Sequence, residues 1–132
     1  MAQDGLITLS SRCPARDTMD RLLAALAKHN MTVFARIDHA AGAASAGLEL
    51  RPTEVVIFGN PKGGTALMQD RQSAGIDLPL KALIWQDADG KVWLSYNDPA
   101  WIAQRHGLGA ASAGAVEAMG KALAVIAAEV TT

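Results

Sequence analysis

The sequence predicts a two-layer α+β domain built on one mixed or mostly antiparallel sheet of about five strands, with helices packed on one of its faces. Three observations carry this. Short apolar runs of strand character alternate along the chain with stripes at helical spacing. Lys81 to Asp87 and Lys91 to Asn97 are both strand-like, and Asp87-Ala88-Asp89-Gly90 between them is a turn sequence, so the two form a hairpin that must pair antiparallel. The length of 132 residues suits a single domain spanning 1–132, enough for one core.

Leu6 to Ser10 reads as a short strand. After Pro14, the spacing of Met19, Leu22, Leu23, Leu26 and Ala27 makes one apolar stripe, the first helix. Lys28 and His29 suit the negative end of its dipole, and Asn30 tolerates the left-handed conformation that stops it. Met31, Val33, Ala35 and Ile37 then alternate with Thr32, Phe34, Arg36 and Asp38, as expected of a strand with one face toward the helix. His39 to Gly47 is mostly Ala and Gly, either a short helix capped by Asp38 or a close-packed turn. Glu54 to Phe58 is an apolar strand ended by Gly59-Asn60-Pro61, and Thr65 to Gln72 is helical up to a stop at Gly75.

After the hairpin, Asp98-Pro99 supplies an N-cap with proline at the first helical position, Trp101 to His106 completes a short helix, and Gly107 closes it. Ser112 is expected to cap a last helix with Val116, Met119, Leu123, Ile126 and Val130 on one stripe and the pair Glu117/Lys121 on its outer side. The first and last helices are expected to cover one sheet face. Phe34, Leu83, Trp85 and Trp93 are expected on the other, where an apolar surface invites a second copy; a homodimer follows.

Twelve basic and thirteen acidic side chains, without long runs, leave a net charge of −1. Nucleic acid therefore lacks the basic surface it needs and is excluded as a partner. No apolar run approaches the length that spans a bilayer, and the opening Met1-Ala2-Gln3-Asp4-Gly5 lacks the charge pattern of an export signal, so no membrane partner and a cytoplasmic location are expected. Cys13 is the one cysteine, which excludes an internal disulfide, and its expected role is packing. No ligand spacing for a metal occurs, and no cofactor is implied.

Gly59-Asn60-Pro61-Lys62-Gly63-Gly64-Thr65 links a strand to a helix, where backbone N–H groups can receive an anion. It is not a phosphate loop, because Thr65 stands where that motif needs lysine; a tight turn shaped by glycine and proline is the favoured explanation. His39 ends a strand and could work as an acid, a base or a ligand if it meets Asp77 or Tyr96; an isolated histidine at such a boundary also serves simply as a structural hydrogen bonder. His29 and His106 are explained by helix-end dipoles, and Ser45 lacks the spacing of a nucleophile elbow. Trp85 and Trp93 could frame a planar ligand or simply pair across strands.

Ile37-Asp38-His39, Phe58-Gly59-Asn60-Pro61, Asp77-Leu78-Pro79 and Asp89-Gly90-Lys91-Val92, within a span from about Leu22 to Asn97, resemble the bacterial family called domain of unknown function 302. His39, Asn60, Pro61, Asp77, Leu78 and Pro79 match its pattern. The resemblance implies a compact α+β domain that tends to pair as dimers, and it implies no assigned activity, cofactor or catalytic residue. The expected function is a dimeric binding module whose cleft at the strand ends, lined by His39, Asn60, Lys62, Gly64, Thr65, Asp77 and Tyr96, holds a small polar or anionic molecule. Two alternatives stand beside it: an enzyme using His39 as general acid or base, and a structural or regulatory dimer without a ligand.

Overall fold

The computed structural model describes residues 4–132, so the start of the expected leader-free segment, residues 1–3, lies outside the described residues. The chain runs β1 (Leu6–Ser11), α1 (Ala15–Lys28), β2 (Thr32–Asp38), α2 (His39–Ser45), β3 (Thr53–Gly59) and α3 (Pro61–Asp70). A 3₁₀ turn at Gln72–Ile76 follows, then β4 (Leu80–Gln86), β5 (Val92–Asn97), α4 (Pro99–His106) and α5 (Ala113–Thr131). The five strands form one sheet in the order β1-β5-β4-β3-β2, and every neighbouring pair is antiparallel. The expected mixed or mostly antiparallel sheet is thus wholly antiparallel.

Alternation along the strands sorts side chains onto two faces. Ile7, Tyr96, Ala82 and Val56 fall on one row of cross-strand partners, as do Leu9, Leu94 and Ile84. These rows belong to the core, which they share with Met19, Leu22 and Leu26 of α1 and Leu123, Ile126 and Val130 of α5. Phe58, Leu22, Leu26, Leu94 and Ile126 are fully buried, each worth about 1.5–3 kcal/mol by removal from water. On the opposite face Val55, Ile57, Leu83, Trp85 and Trp93 remain half-exposed.

Two helix stops follow the sequence, whereas α3 ends at Asp70 before the extended Arg71, and Gly75, the expected stop, lies inside the following 3₁₀ turn. Asn30 after α1 has φ +59°, and Gly107 after α4 has φ +64°. Asp38 caps α2 by accepting from Ala41 N at 2.9 Å, and Asp98 caps α4 by accepting from Ala100 N at 3.0 Å. Glu117 and Lys121 pair at 3.1 Å on the exposed side of α5.

Three further local expectations are corrected. Helix α3 starts at Pro61 rather than Thr65, because Asn60 accepts from Lys62 N at 3.0 Å and Pro61 fits the first helical position. The glycines at 63 and 64 therefore lie inside a helix. Ser112 makes no cap: its hydroxyl donates to Asp70 Oδ2 at 2.7 Å, joining the start of α5 to the end of α3. Strand β2 does not turn its apolar face to α1. A register shift between Val33 and Ala35 moves Ala35 and Ile37 opposite Ile57 and Val55, on the half-exposed face, and leaves Arg36 paired with Glu54.

Candidate functional site

Antiparallel pairing decides which predicted site residues can meet. Neighbouring antiparallel strands end at opposite edges of a sheet. Asp38, at the end of β2, pairs with Glu54 at the start of β3, whereas Thr32 pairs with Gly59. His39 and Asn60, each following the end of its strand, are consequently separated by the length of β3. Lys62 apart, the residues of the single cleft expected from the sequence divide among three places.

The first is a crevice of about 330 Å³ where β3 passes into α3. Asn60, Gly64 and Thr65 line it, and so do Phe34, Met68, Leu78, Pro79 and Met119. Each wall follows from local structure. The Asn60-Pro61 cap turns the chain sharply into α3, so Gly64, Thr65 and Met68 recur at helical spacing along its inner side. Phe34 reaches it from the irregular stretch of β2, and a Cβ placed on Gly59 would come within 3.8 Å of the Phe34 ring and 3.7 Å of Pro79. Met119, on the apolar stripe of α5, closes another side. Asn60 and Thr65 bring the polar side chains to a lining that is otherwise apolar, which corrects the expectation of a polar cleft. Lys62 is exposed and faces a separate hollow beside His29 and Met31, although Asn60 borders both.

The second place is a shallow depression on the half-exposed sheet face, bordered by His39, Lys81, Leu83, Trp85 and Ser95. Tyr96 contributes to its rim, but it is only 7% exposed and belongs to the core row with Ala82 and Val56. Burial pushes its phenol pKa up, and the nearby Asp98 acts in the same direction. His39 is exposed, and no hydrogen bond joins it to Tyr96 or Asp77. The proposed support for an acid–base role at His39 is absent among the described residues.

On the same face Trp85 and Trp93 are direct cross-strand partners, stacked with ring centroids 6.1 Å apart. Their indole N–H groups are satisfied internally. Trp85 donates to Ser95 Oγ and Trp93 to Asp87 Oδ2, both at 2.9 Å. The Trp93 bond, joined by backbone N–H groups of Lys91 and Asp89, holds the Asp87 carboxyl below the usual aspartate range.

The third place surrounds Asp77. Its carboxylate accepts two bonds from Arg105 Nη1, at 2.9 and 3.0 Å, and one from His106 Nε2 at 2.5 Å. Asp77 thus meets a histidine, but one that the helix-dipole argument had accounted for as structural. No local spacing signals this contact, because Asp77 and His106 come from separate elements, 29 residues apart. Likewise, Phe34, Met68 and Met119 give no sequence signal of a crevice, since Met119 reads as core and Phe34 as part of the open sheet face. No group of three or more histidine, cysteine, aspartate or glutamate side chains is placed to hold a metal among the described residues.

Comparison with known proteins adds the following. Over 115 residues the chain is 55% identical to a protein of Brucella suis biovar 1 named fluoride-specific ion channel FluC 1, and equally to a Brucella abortus protein of that name. The match covers 87% of this chain but 45% and 43% of those proteins, so the chain spans less than half the length of these curated relatives. No helix among the described residues is long and apolar enough to cross a membrane. The crystal structure of an uncharacterized conserved DUF302 protein from Bacillus stearothermophilus superposes with a TM-score of 0.86 over 97% of this chain and 98% of that one, at 18% identity. The family model for the domain of unknown function DUF302 matches residues 7–126, and the chain belongs to that family.

Proposed function

We propose that the chain is a cytoplasmic homodimeric binding module whose crevice between β3 and α3 takes a small, mainly apolar molecule bearing one polar group. The crevice carries this reading. Its volume of about 330 Å³ lies at the low end for small-molecule sites, and an apolar wall with few polar groups is the usual composition of such sites. Asn60 and Thr65 are the side chains available to orient the polar end. The second copy would cover the half-exposed face around Leu83, Trp85 and Trp93, whose indole donors are already satisfied and so ask nothing of a partner but apolar contact.

Thermal melts against a panel of short-chain alcohols, amides and carboxylic acids test the crevice. A stabilising member should lose its effect in Met119→Trp, which fills the space, and in Thr65→Val, which removes a polar contact. A panel that never shifts the midpoint would defeat the reading.

A second reading has one observation in its favour, the name carried by the Brucella relatives. Because the match occupies less than half of each, the module is proposed to serve a fluoride channel as an attached part that does not span the membrane. Fluoride efflux from liposomes holding the full Brucella suis protein, compared with the same protein lacking the matched stretch, should differ in rate or regulation. Identical fluxes would remove this reading.

A further inference from the structure

We propose that Ser73 is an activated nucleophile with His106 as its general base, and that it accepts the acyl group of small carboxylic esters. The crevice and the open sheet face play no part in this proposal.

Ser73 Oγ lies 3.0 Å from His106 Nδ1, and the other ring nitrogen, Nε2, meets Asp77 Oδ2. Protonation follows from the partners. An ionised carboxylate only accepts hydrogen bonds, so Nε2 carries the ring proton and Nδ1 presents a lone pair to the serine O–H. Asp77 is in turn held by the two bonds from Arg105 Nη1. Nucleophile to base and base to orienting carboxylate are the two contacts that nucleophilic serine chemistry requires. The nitrogens are used in the reverse sense from the serine proteases, with the carboxylate on Nε2, which leaves the proton path unchanged.

Exposure divides the roles. The His106 side chain is 7% exposed and that of Asp77 19%, while Ser73 is exposed on the 3₁₀ turn. The base is thus shielded from water while the hydroxyl remains open to a reactant. Arg105 is spent on Asp77, and Arg71, two residues before Ser73 with its guanidinium beside Gly107, is the positive charge left to favour the negative charge that builds on an attacked carbonyl oxygen. Ser73 stands exposed on the 3₁₀ turn and borders none of the hollows described above, so small unhindered esters are the substrates proposed for it.

In the step, Ser73 Oγ bonds to the ester carbonyl carbon as its proton passes to Nδ1. The bond from that carbon to the alkoxy oxygen then breaks, and the leaving oxygen takes the proton from Nδ1 to depart as an alcohol. Water completes the cycle. It gives a proton to Nδ1 and adds its oxygen to the acyl carbon, the bond to Oγ breaks, Oγ recovers the proton, and a carboxylic acid leaves.

The test is incubation of the protein with p-nitrophenyl acetate and, separately, diisopropyl fluorophosphate, followed by intact-mass measurement and peptide mapping. One adduct per chain is expected on Ser73, absent from Ser73→Ala, with a rate that rises with pH through a single deprotonation. His106→Gln should slow it roughly a hundredfold. Asp77→Asn should shift the pH midpoint of labelling, a readout that a merely structural contact would not move. Absence of an adduct on Ser73 overturns the proposal, as does labelling in the unmodified protein that ignores pH. Because Ser73 is exposed, Ser73→Ala should melt like the parent, so the assignment stands or falls even if His106→Gln proves unfolded.

Discussion

A methyl group at position 5 has no room. Gly5 has φ +75°, a conformation that L side chains rarely adopt, and its Cβ would lie 2.5 Å from the Trp101 ring. Gly5→Ala is expected to destabilise the fold by about 1–3 kcal/mol, read by calorimetry. Gly42, inside α2 with nothing within 4 Å of its Cβ position, should do the reverse, and Gly42→Ala should stabilise by up to about 1 kcal/mol. Single carboxylates set the acid response. Ser112 and the Gly109 N–H hold Asp70 below its usual pKa, the Trp93 indole does so for Asp87, and His29 does so for Glu129. A carboxyl with a lower pKa in the folded state binds fewer protons there than in the unfolded chain, so stability rises with pH across that interval. The contribution is therefore complete above the unfolded carboxyl range of about 3.9–4.3 and lost as pH falls through the folded values. Melting midpoints between pH 6 and pH 2 should fall in that window, and less steeply in Asp70→Asn. The sequence displays Asp70, Asp87 and Glu129 but not their partners, because each donor except those around the hairpin turn comes from a distant element.

At the level of elements, two helices start alike and only one start is legible. Asn60-Pro61 and Asp98-Pro99 both place a capping side chain before a proline, and each accepts from the second N–H at 3.0 Å. In α4 the following residues, Ala100-Trp101-Ile102, confirm the helix; in α3 the following Gly63-Gly64 mimic a turn and hide four residues of it. At Gly63 packing overrides the low helical propensity of glycine, since a Cβ there would come within 2.9 Å of Met119 Cε on α5. Asn60→Ala should cost about 1 kcal/mol through loss of the cap, with Asn60→Asp close to neutral, as measured by urea denaturation. The face of β2 was illegible for a different reason. Period-two alternation assigns faces only when the ladder is regular, and one irregularity at Phe34 exchanges them. That irregularity also brings Phe34 to the crevice, so the feature that defeated the pattern builds part of the candidate site.

For the whole molecule, composition and turn chemistry were sufficient to specify a five-stranded α+β domain, since hairpins and stripes are local properties. Strand order is not local, and with it went the grouping of the site: His39 and Asn60 look alike in sequence, each just beyond a strand, yet antiparallel neighbours send them to opposite ends. The half-exposed sheet face makes a whole-molecule prediction. Light scattering at micromolar concentration should give twice the chain mass, and Trp85→Glu, which places a charge among Leu83, Trp93 and Val55, should return a folded single chain. A parent protein that is already a single chain would refute the dimer.

The hydrogen bond from Arg12 N to Thr131 O, at 3.2 Å, holds the last turn of α5 at the Ser11 end of β1. Gly59 and Leu80, beside the crevice, lie at the far end of the sheet and on other strands. The last turn of α5 and the mouth of the crevice thus stand at opposite ends of the sheet, so a label attached at Thr132 should leave the crevice accessible.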